Sequence, residues 1–360
     1  MSVAASIAIN GRFLTQGLTG VQRFAKEIVL ALDAMLEEHP DVQCELLCPR
    51  AAERLPLNHI VQRRVGFWGG QAWEQCELPW YARGATLVNL CNLGPLITAR
   101  QCVVMHDAAV FGAPDGYTVL FRTWYRFAQR LLARRAARLA TVSHFSASEL
   151  EKHLDVKKDG IVVIENAVDH LERVGRDPLI LDRLDLRGRS FLLAVGSQNP
   201  NKNTQRLTEA VARLGNAMPL VLVGGANASV FAAEMPLSQS STVITAGYVS
   251  DEALASLMEA ASLFVFPSLY EGFGIPPLEA MWCGCPVAVS RIPAVVEACG
   301  DAALYFDPLD VEQMAEVISG AQRSPESRSA LIDAGRRRSR ARHWRGQAEN
   351  LLNVVLAIPA

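Results

Sequence analysis

The sequence has no long apolar run. Its longer apolar stretches, such as Ala261–Pro267 and Phe191–Val195, fall far short of the roughly 20 residues that a bilayer-spanning helix needs. Met1–Asn10 carries no basic leader and only a brief apolar stretch, so it reads as a first β-strand rather than an export signal. An excess of either charge is missing too: 35 Lys and Arg stand against 37 Asp and Glu, a formal net charge of −2. Nothing in that total asks for a nucleic-acid partner. Paired Cys-x-x-Cys knuckles are absent, and the eight cysteines, at positions 44, 48, 76, 91, 102, 283, 285 and 299, have no nearby histidines to complete a zinc set. Cys102 and Cys285 sit in strand-like apolar contexts, where a reduced thiol behaves as a small hydrophobe. A reducing cytoplasm is the economical setting. No Gly-x-Gly-x-x-Gly follows a strand candidate, so a nicotinamide-dependent dehydrogenase is poorly supported.

What is present is a chain of 360 residues, 50% hydrophobic and 20% charged, enough for two ordinary globular domains. Short apolar runs alternate with amphipathic segments, the pattern of βαβ units over parallel sheets. The first half offers strands at Ser6–Asn10, Gln43–Cys48, Thr86–Asn89, Cys102–Met105, Leu139–Val142 and Ile161–Glu165. Val21, Phe24, Ile28, Leu32 and Met35 recur at helical spacing after the turn Gly17-Leu-Thr-Gly20, and further helices fill 117–138 and 146–154. A charged stretch, Asp169–Ser190, reads as a linker. Beyond it, strands are expected at Phe191–Val195, Leu220–Val223, Val243–Ala246, Leu263–Pro267, Val287–Ser290 and Leu304–Phe306, with helices at Thr204–Leu214, Asp251–Ala261 and Pro277–Cys283. The expected architecture is α/β, two doubly wound Rossmann-like domains whose sheets face across a cleft, since ligands bind at the carboxyl ends of such strands.

One stretch carries chemistry. Tyr270-Glu-Gly-Phe-Gly-Ile-Pro-Pro-Leu-Glu-Ala-Met-Trp-Cys-Gly-Cys-Pro286 runs from a strand through a glycine-rich turn into a helix. Gly272 and Gly274 let backbone N–H groups approach a ligand, and Pro276 and Pro277 favour a helix start. Amides and helix dipole together suit a diphosphate. Glu271 and Glu279 offer carboxylates that accept hydrogen bonds from vicinal hydroxyls. The bland alternative is an ordinary loop with two surface glutamates.

The Glu271-x₇-Glu279 arrangement resembles the hallmark of retaining glycosyltransferases of family 4, which have the GT-B fold. Similar segments run along almost the whole chain. Val195-Gly-Ser-Gln-Asn-Pro-Asn-Lys-Asn203 resembles that family's phosphate loop and Gly247-Tyr-Val-Ser-Asp-Glu252 its nucleobase loop. Ile164-Glu-Asn-Ala-Val-Asp169 resembles the segment closing its first domain, Gly17-Leu-Thr-Gly-Val-Gln-Arg-Phe24 its N-terminal glycine loop, and Thr141-Val-Ser-His-Phe-Ser146 a further family segment. The resemblance implies that Glu271, His106 and Lys202 are catalytic. Glu271 would bind donor-sugar hydroxyls, His106 a sugar hydroxyl or the incoming nucleophile, and Lys202 the leaving diphosphate. Gly20, Ser197, Lys202, Val249, Gly272, Phe273, Gly274, Ile275 and Glu279 would bind the donor, with Glu279 on the ribose. Ser197 stands where many members carry a basic residue, so that charge would come from elsewhere, Arg206 or Arg23 being candidates. His106-Asp107 also has a structural reading, a core histidine capped by its aspartate; for His144 and Ser143 the structural reading is preferred.

The resemblance sets the domains at 1–172, on the acceptor side, and 173–343, binding the nucleotide sugar, with a final helix over 344–360 packing back on the first. No Asp-x-Asp occurs, so the carboxylates that hold a nucleoside diphosphate through a divalent ion are missing. Neither metal nor cofactor is expected, and lysine, amides and a helix dipole would supply the positive field. The family implies front-side displacement through an oxocarbenium-like transition state.

Arg122, Arg126, Arg130, Arg134 and Arg138 recur at every fourth residue with Trp124, Tyr125 and Phe127 between them. A four-residue step drifts by about 40° on a helix, so the row makes a slanted basic stripe. It suits anionic lipid headgroups or a lipid-diphosphate acceptor, or else it is a solvated face with arginine stems over apolar surface. Arg336-Arg-Arg-Ser-Arg-Ala-Arg342 reads as a solvated helix, with Trp344 opening the last one.

The expectation is a cytoplasmic enzyme, peripheral at the inner membrane face if the stripe touches lipid, moving a hexose from a nucleotide sugar to a saccharide or polyprenyl-linked acceptor in bacterial surface polysaccharide synthesis. The Asn10-Gly-Arg12 opening resembles mannosyltransferase-type members and makes GDP-mannose the first donor, with dTDP-rhamnose and UDP-hexoses open. Rivals from other classes are a nucleotide-sugar epimerase and a catalytically dead nucleotide-binding protein.

Overall fold

The computed structural model describes residues 5–113, 117–196, 199–215, 218–225, 242–321 and 325–359. It forms two compact units. One takes Met1–Phe111, Thr123–Asn166 and His343–Ala360; the other takes Gly112–Arg122 and Ala167–Arg342.

The first unit holds a seven-stranded sheet, β1 (Ala5–Asn10), β2 (Val42–Cys48), β3 (Val61–Arg64), β4 (Thr86–Asn89), β5 (Gln101–Val104), β6 (Arg138–Thr141) and β7 (Ile161–Val163), in the order β3-β2-β1-β4-β5-β6-β7. Every pairing is parallel, and Ile7 of β1 pairs with Cys44 on one side and Thr86 on the other. The second unit holds β8 (Leu192–Val195), β9 (Leu220–Val223), β10 (Val243–Gly247), β11 (Leu263–Phe266), β12 (Val287–Ser290) and β13 (Leu304–Phe306), ordered β10-β9-β8-β11-β12-β13 and again parallel. In both sheets the strand order turns back between the first and fourth strands, the point where doubly wound sheets bind ligands. β4, β5, β9, β11 and β12 are buried at every residue, because helices cover both faces of a parallel sheet.

Helix Gly20–Met35 buries Phe24, Ile28, Leu32 and Met35 of the five positions that its periodicity marks and leaves Val21 half-buried. Helix Trp344–Leu356 lies against it in the same unit, with the Trp344 ring edge-on to Phe24 at 5.9 Å and Arg345 paired with Glu38 at 2.7 Å. Ser143 caps helix His144–Leu154 by accepting the Ser146 N–H, which gives Ser143 a structural place; His144 is exposed at the helix start.

Three expectations change. Asp169–Ser190 is no linker. It holds the 3₁₀ turn Asp169–Glu172 and helix Leu179–Arg183, and its charges are consumed in ion pairs of Arg176 with Glu259, Arg183 with Asp177, Arg187 with Asp182 and Arg189 with Asp185. The unit boundary falls after Asn166 rather than 172, since Ala167, Val168, His170 and Leu171 are buried with the second unit, which also takes Gly112–Arg122. The arginine row leaves the helix early: Val119–Arg135 is helical, whereas Arg138 opens β6. Trp124 and Tyr125 pack on the core beneath, and only Phe127 of the three interleaved aromatics is exposed.

Candidate active site

β8 and β11 lie side by side in the second sheet, so the loops leaving their carboxyl ends start as neighbours. The β8 loop passes Gly196 and forms the turn Pro200–Lys202, started by Asn199, whose Oδ1 accepts the Asn201 N–H at 2.9 Å. Asn203 follows in the left-handed region at φ 54°, and its Nδ2 donates to Pro267 O at 3.0 Å and Pro308 O at 2.7 Å. The Leu269 N–H donates to Asn201 O at 2.8 Å. These bonds tie the two loops together.

That tie brings Lys202 to Glu271. Nζ stands 2.6 Å from Oε1, with the two side chains 25% and 16% exposed. The lysine stem crosses Gly196 so closely that a Cβ there would lie 3.1 Å from Lys202 Cγ, and Nζ is 5.4 Å from the Phe266 ring centre. A side chain at 196 would therefore press on the lysine stem.

Beyond Glu271 the chain passes Gly272 and Phe273 to Gly274, which sits at φ 116° and opens helix Ile275–Trp282 with no side-chain cap. A left-handed backbone favours glycine here. Pro276 and Pro277 have no N–H to offer, so the amide donors at this helix start narrow to those just before them, at Phe273–Ile275. The Phe273 side chain is buried.

Glu279 lies one turn into this helix and is 7% exposed. His170, from the turn Asp169–Glu172, places Nε2 3.5 Å from Glu279 Oε1. His170 is not among the expected site residues; its signal in the sequence is its position directly after Ile164–Asp169. Val249 follows β10 on the same edge of the sheet and is half-buried. Its neighbour Ser250 caps helix Asp251–Ala260 by accepting the Ala253 N–H at 3.2 Å. Arg206, a candidate for the missing charge, donates from Nη1 to Asn203 Oδ1 at 3.0 Å, beside the Lys202 loop. Ser197 lies outside the described residues.

Gly20, His106 and Arg23 belong to the first unit. Gly20 is exposed at the start of helix Gly20–Met35. His106 follows β5 and is 6% exposed, edge-on to Phe24 at 4.9 Å. Its Nε2 lies 2.8 Å from Leu90 O, a contact that requires the proton on Nε2 and leaves Nδ1 as an acceptor. Burial lowers its pKa to about 4, against the raising effect of that bond, so the ring is neutral near pH 7. Asp107 does not cap it: Oδ1 accepts the Ala109 N–H at 2.8 Å instead.

Among the described residues no group of three His, Cys, Asp or Glu side chains is placed to hold a metal ion, and no helix is long and apolar enough to cross a membrane.

Comparisons with known proteins bear on the family and the fold. Residues 182–338 match the family described as Glycosyl transferases group 1, and residues 18–171 match Glycosyltransferase Family 4. O-antigen chain mannosyltransferase B of Escherichia coli is 30% identical over 271 residues, covering 71% of this chain and 70% of that protein. The MMP alpha-(1->4)-mannosyltransferase of Mycolicibacterium hassiacum is 32% identical over 269 residues, covering 71% and 64%. In fold, the sucrose-phosphate synthase of Thermosynechococcus elongatus superposes with a TM-score of 0.73 at 18% identity, over 97% of this chain and 98% of that one. With two Rossmann-like units and a family match across each of them, the chain belongs to the family 4 glycosyltransferases of the GT-B fold.

Proposed function

We propose that the protein transfers mannose from GDP-mannose, with retention at the anomeric carbon, to a saccharide or lipid-linked acceptor in surface polysaccharide synthesis. The observation that carries this reading is the 2.6 Å contact between Lys202 and Glu271 at the turning point of the second sheet, next to the Gly272–Ile275 amides. A β-phosphate arriving there competes for the Lys202 ammonium. The Glu271 carboxylate, released from the pair, then accepts hydrogen bonds from sugar hydroxyls. Glu279, steadied by His170, accepts from the ribose. Gly20 and the Val249 loop complete the donor contacts.

In the reaction the bond from C1 to the phosphate oxygen breaks and a bond from C1 to the acceptor oxygen forms on the same face. The acceptor proton passes to the departing diphosphate. Negative charge grows on that diphosphate, where Lys202 and the fixed amides stabilise it most. His106, neutral and with Nε2–H committed to Leu90, contributes Nδ1 as an acceptor for a sugar or acceptor hydroxyl. The lack of an Asp-x-Asp motif in the sequence supports a field built from lysine and amides rather than a divalent ion.

Mannose is favoured because both relatives described above are named as mannosyltransferases. A place at the cytoplasmic face of a membrane is supported by helix Val119–Arg135. It contains five arginines and no carboxylate, and Arg130, Arg134 and the 56%-exposed Phe127 reach solvent.

The test is thermal denaturation with GDP, UDP and dTDP, followed by incubation with the matching nucleotide sugar alone and with acceptor. GDP should raise the melting temperature most. Transfer with retained configuration is the expected result; an epimerised donor in the absence of acceptor would overturn it.

A further inference from the structure

The first unit has its own turning point, between β1 and β4, and a buried polar network fills it. Asn10 ends β1 and Asn89 ends β4. Asn10 Nδ2 donates to Asn89 Oδ1 at 3.0 Å and to Glu74 Oε1 at 2.7 Å, and Asn89 Nδ2 donates to Gln101 Oε1 at 2.8 Å. Glu74, 1% exposed, comes from the π-helical turn Trp73–Glu77, a distortion that often marks functional sites. Its Oε1 also accepts from Arg12 Nε at 2.9 Å.

The network is not closed. The Arg12 side chain is 9% exposed, and its Nη groups have no hydrogen-bond partner among the described residues. Glu74 Oε2 is buried and equally without one. A buried carboxylate oxygen without a donor is costly, and the network carries that cost at Glu74 Oε2. The Arg12 Nη groups keep contact with solvent instead, in the turn Gly11–Thr15 that follows the carboxyl end of β1. Donors at that end of a doubly wound sheet are placed to meet a ligand.

Charge decides the class of ligand. The Arg12 guanidinium is matched by the Glu74 carboxylate, so the pair offers hydrogen-bond donors without net positive charge. That suits hydroxyl oxygens of a neutral saccharide better than a phosphate. We infer that Arg12 binds hydroxyls of the acceptor saccharide through its Nη donors, with Glu74 as the residue that positions it. The inference rests on the glycosyl-transfer reading above and assigns the residue that reads its second substrate.

The test uses the full chain and whichever nucleotide sugar it consumes. Acceptors are the methyl α-glycosides of mannose, glucose and galactose, their monodeoxy analogues, and the corresponding sugar phosphates. Arg12→Lys should raise the KM for a neutral glycoside about 10-fold or more while donor KM and acceptor-free donor hydrolysis stay within about twofold. The analogue lacking the hydroxyl that Arg12 binds should show little further loss in the variant. Glu74→Gln keeps an oxygen for Asn10 and Arg12 but unmatches the charge, so preference should move toward the sugar phosphates. If Arg12→Lys melts too low to assay, that shift in preference carries the test. A folded Arg12→Lys with unchanged acceptor KM overturns the inference, as does a wild type that uses only phosphate-bearing acceptors. A wild type that neither hydrolyses nor transfers any donor overturns the function proposed above, and this inference with it.

Discussion

Lys202 Nζ and Glu271 Oε1 stand 2.6 Å apart although 69 residues separate them in the chain. One loop from β8 and one from β11 meet in this pair, so it reports directly on whether the second unit's site is assembled. Replacing Lys202 by Gln should keep the loop bonds of Asn203 and remove the cation. Turnover should fall by about 10²–10³-fold, the scale of losing one charge-stabilising group, with a much smaller change in melting temperature. Steady-state kinetics beside a melting curve checks this.

The pH dependence of stability should carry a signature of His106. Burial holds its pKa near 4 in the folded chain, against about 6.5 when unfolded. The unfolded state therefore binds the extra proton between those values. His106's contribution is complete above about pH 6.5 and drains away as pH falls toward 4, by on the order of 3 kcal/mol. His106→Gln should flatten the stability curve over that window, read by denaturant unfolding from pH 7 to pH 4.

Gly274→Ala tests the backbone at the helix start. An added Cβ meets Val295 Cγ2 at an ordinary 3.5 Å, so space is not the obstacle; the φ of 116° is. The penalty should be about 1–3 kcal/mol of stability. Donor affinity should drop as well, since relaxing φ re-aims the neighbouring amides. Denaturant titration and a donor-binding isotherm separate the two effects.

Arg130 and Arg134 form no ion pair with a described residue. The double variant Arg130→Glu with Arg134→Glu should abolish sedimentation with vesicles rich in phosphatidylglycerol and leave binding to neutral phosphatidylcholine vesicles unchanged, with transfer to a soluble acceptor intact. Wild-type binding should weaken steeply as salt rises.

Much of this architecture is legible in the residues. β9, β12 and β13 match the apolar runs Leu220–Val223, Val287–Ser290 and Leu304–Phe306 to the residue. β9 and β12 announce themselves because helices on both faces demand apolar side chains throughout, and the edge strand β13 because it is apolar at all three residues. β3 escaped notice for the opposite reason: Val-Gln-Arg-Arg at the sheet's edge is largely exposed and carries no pattern. The helical run from Gly70 to Tyr81 was hidden by its glycine start and by Pro79. In the site, the Glu271-to-Glu279 stretch could be read as a local motif. Arg12 with Glu74, and His170 with Glu279, could not, because their chemistry comes from long-range pairing and burial that no local window contains.

Helix Trp344–Leu356 has a consequence for how the protein is made. Its Leu351, Leu352 and Val355 line one small apolar hollow together with Ile7, Leu32 and Leu36. A ribosome delivers that helix only after Ala167–Arg342 has emerged. The second unit's main segment is uninterrupted and can condense during synthesis, whereas the first must hold an open seam until translation has passed residue 356. A released chain ending before Trp344 should therefore present a sticky, chaperone-seeking surface at its older end and a finished fold at its younger one.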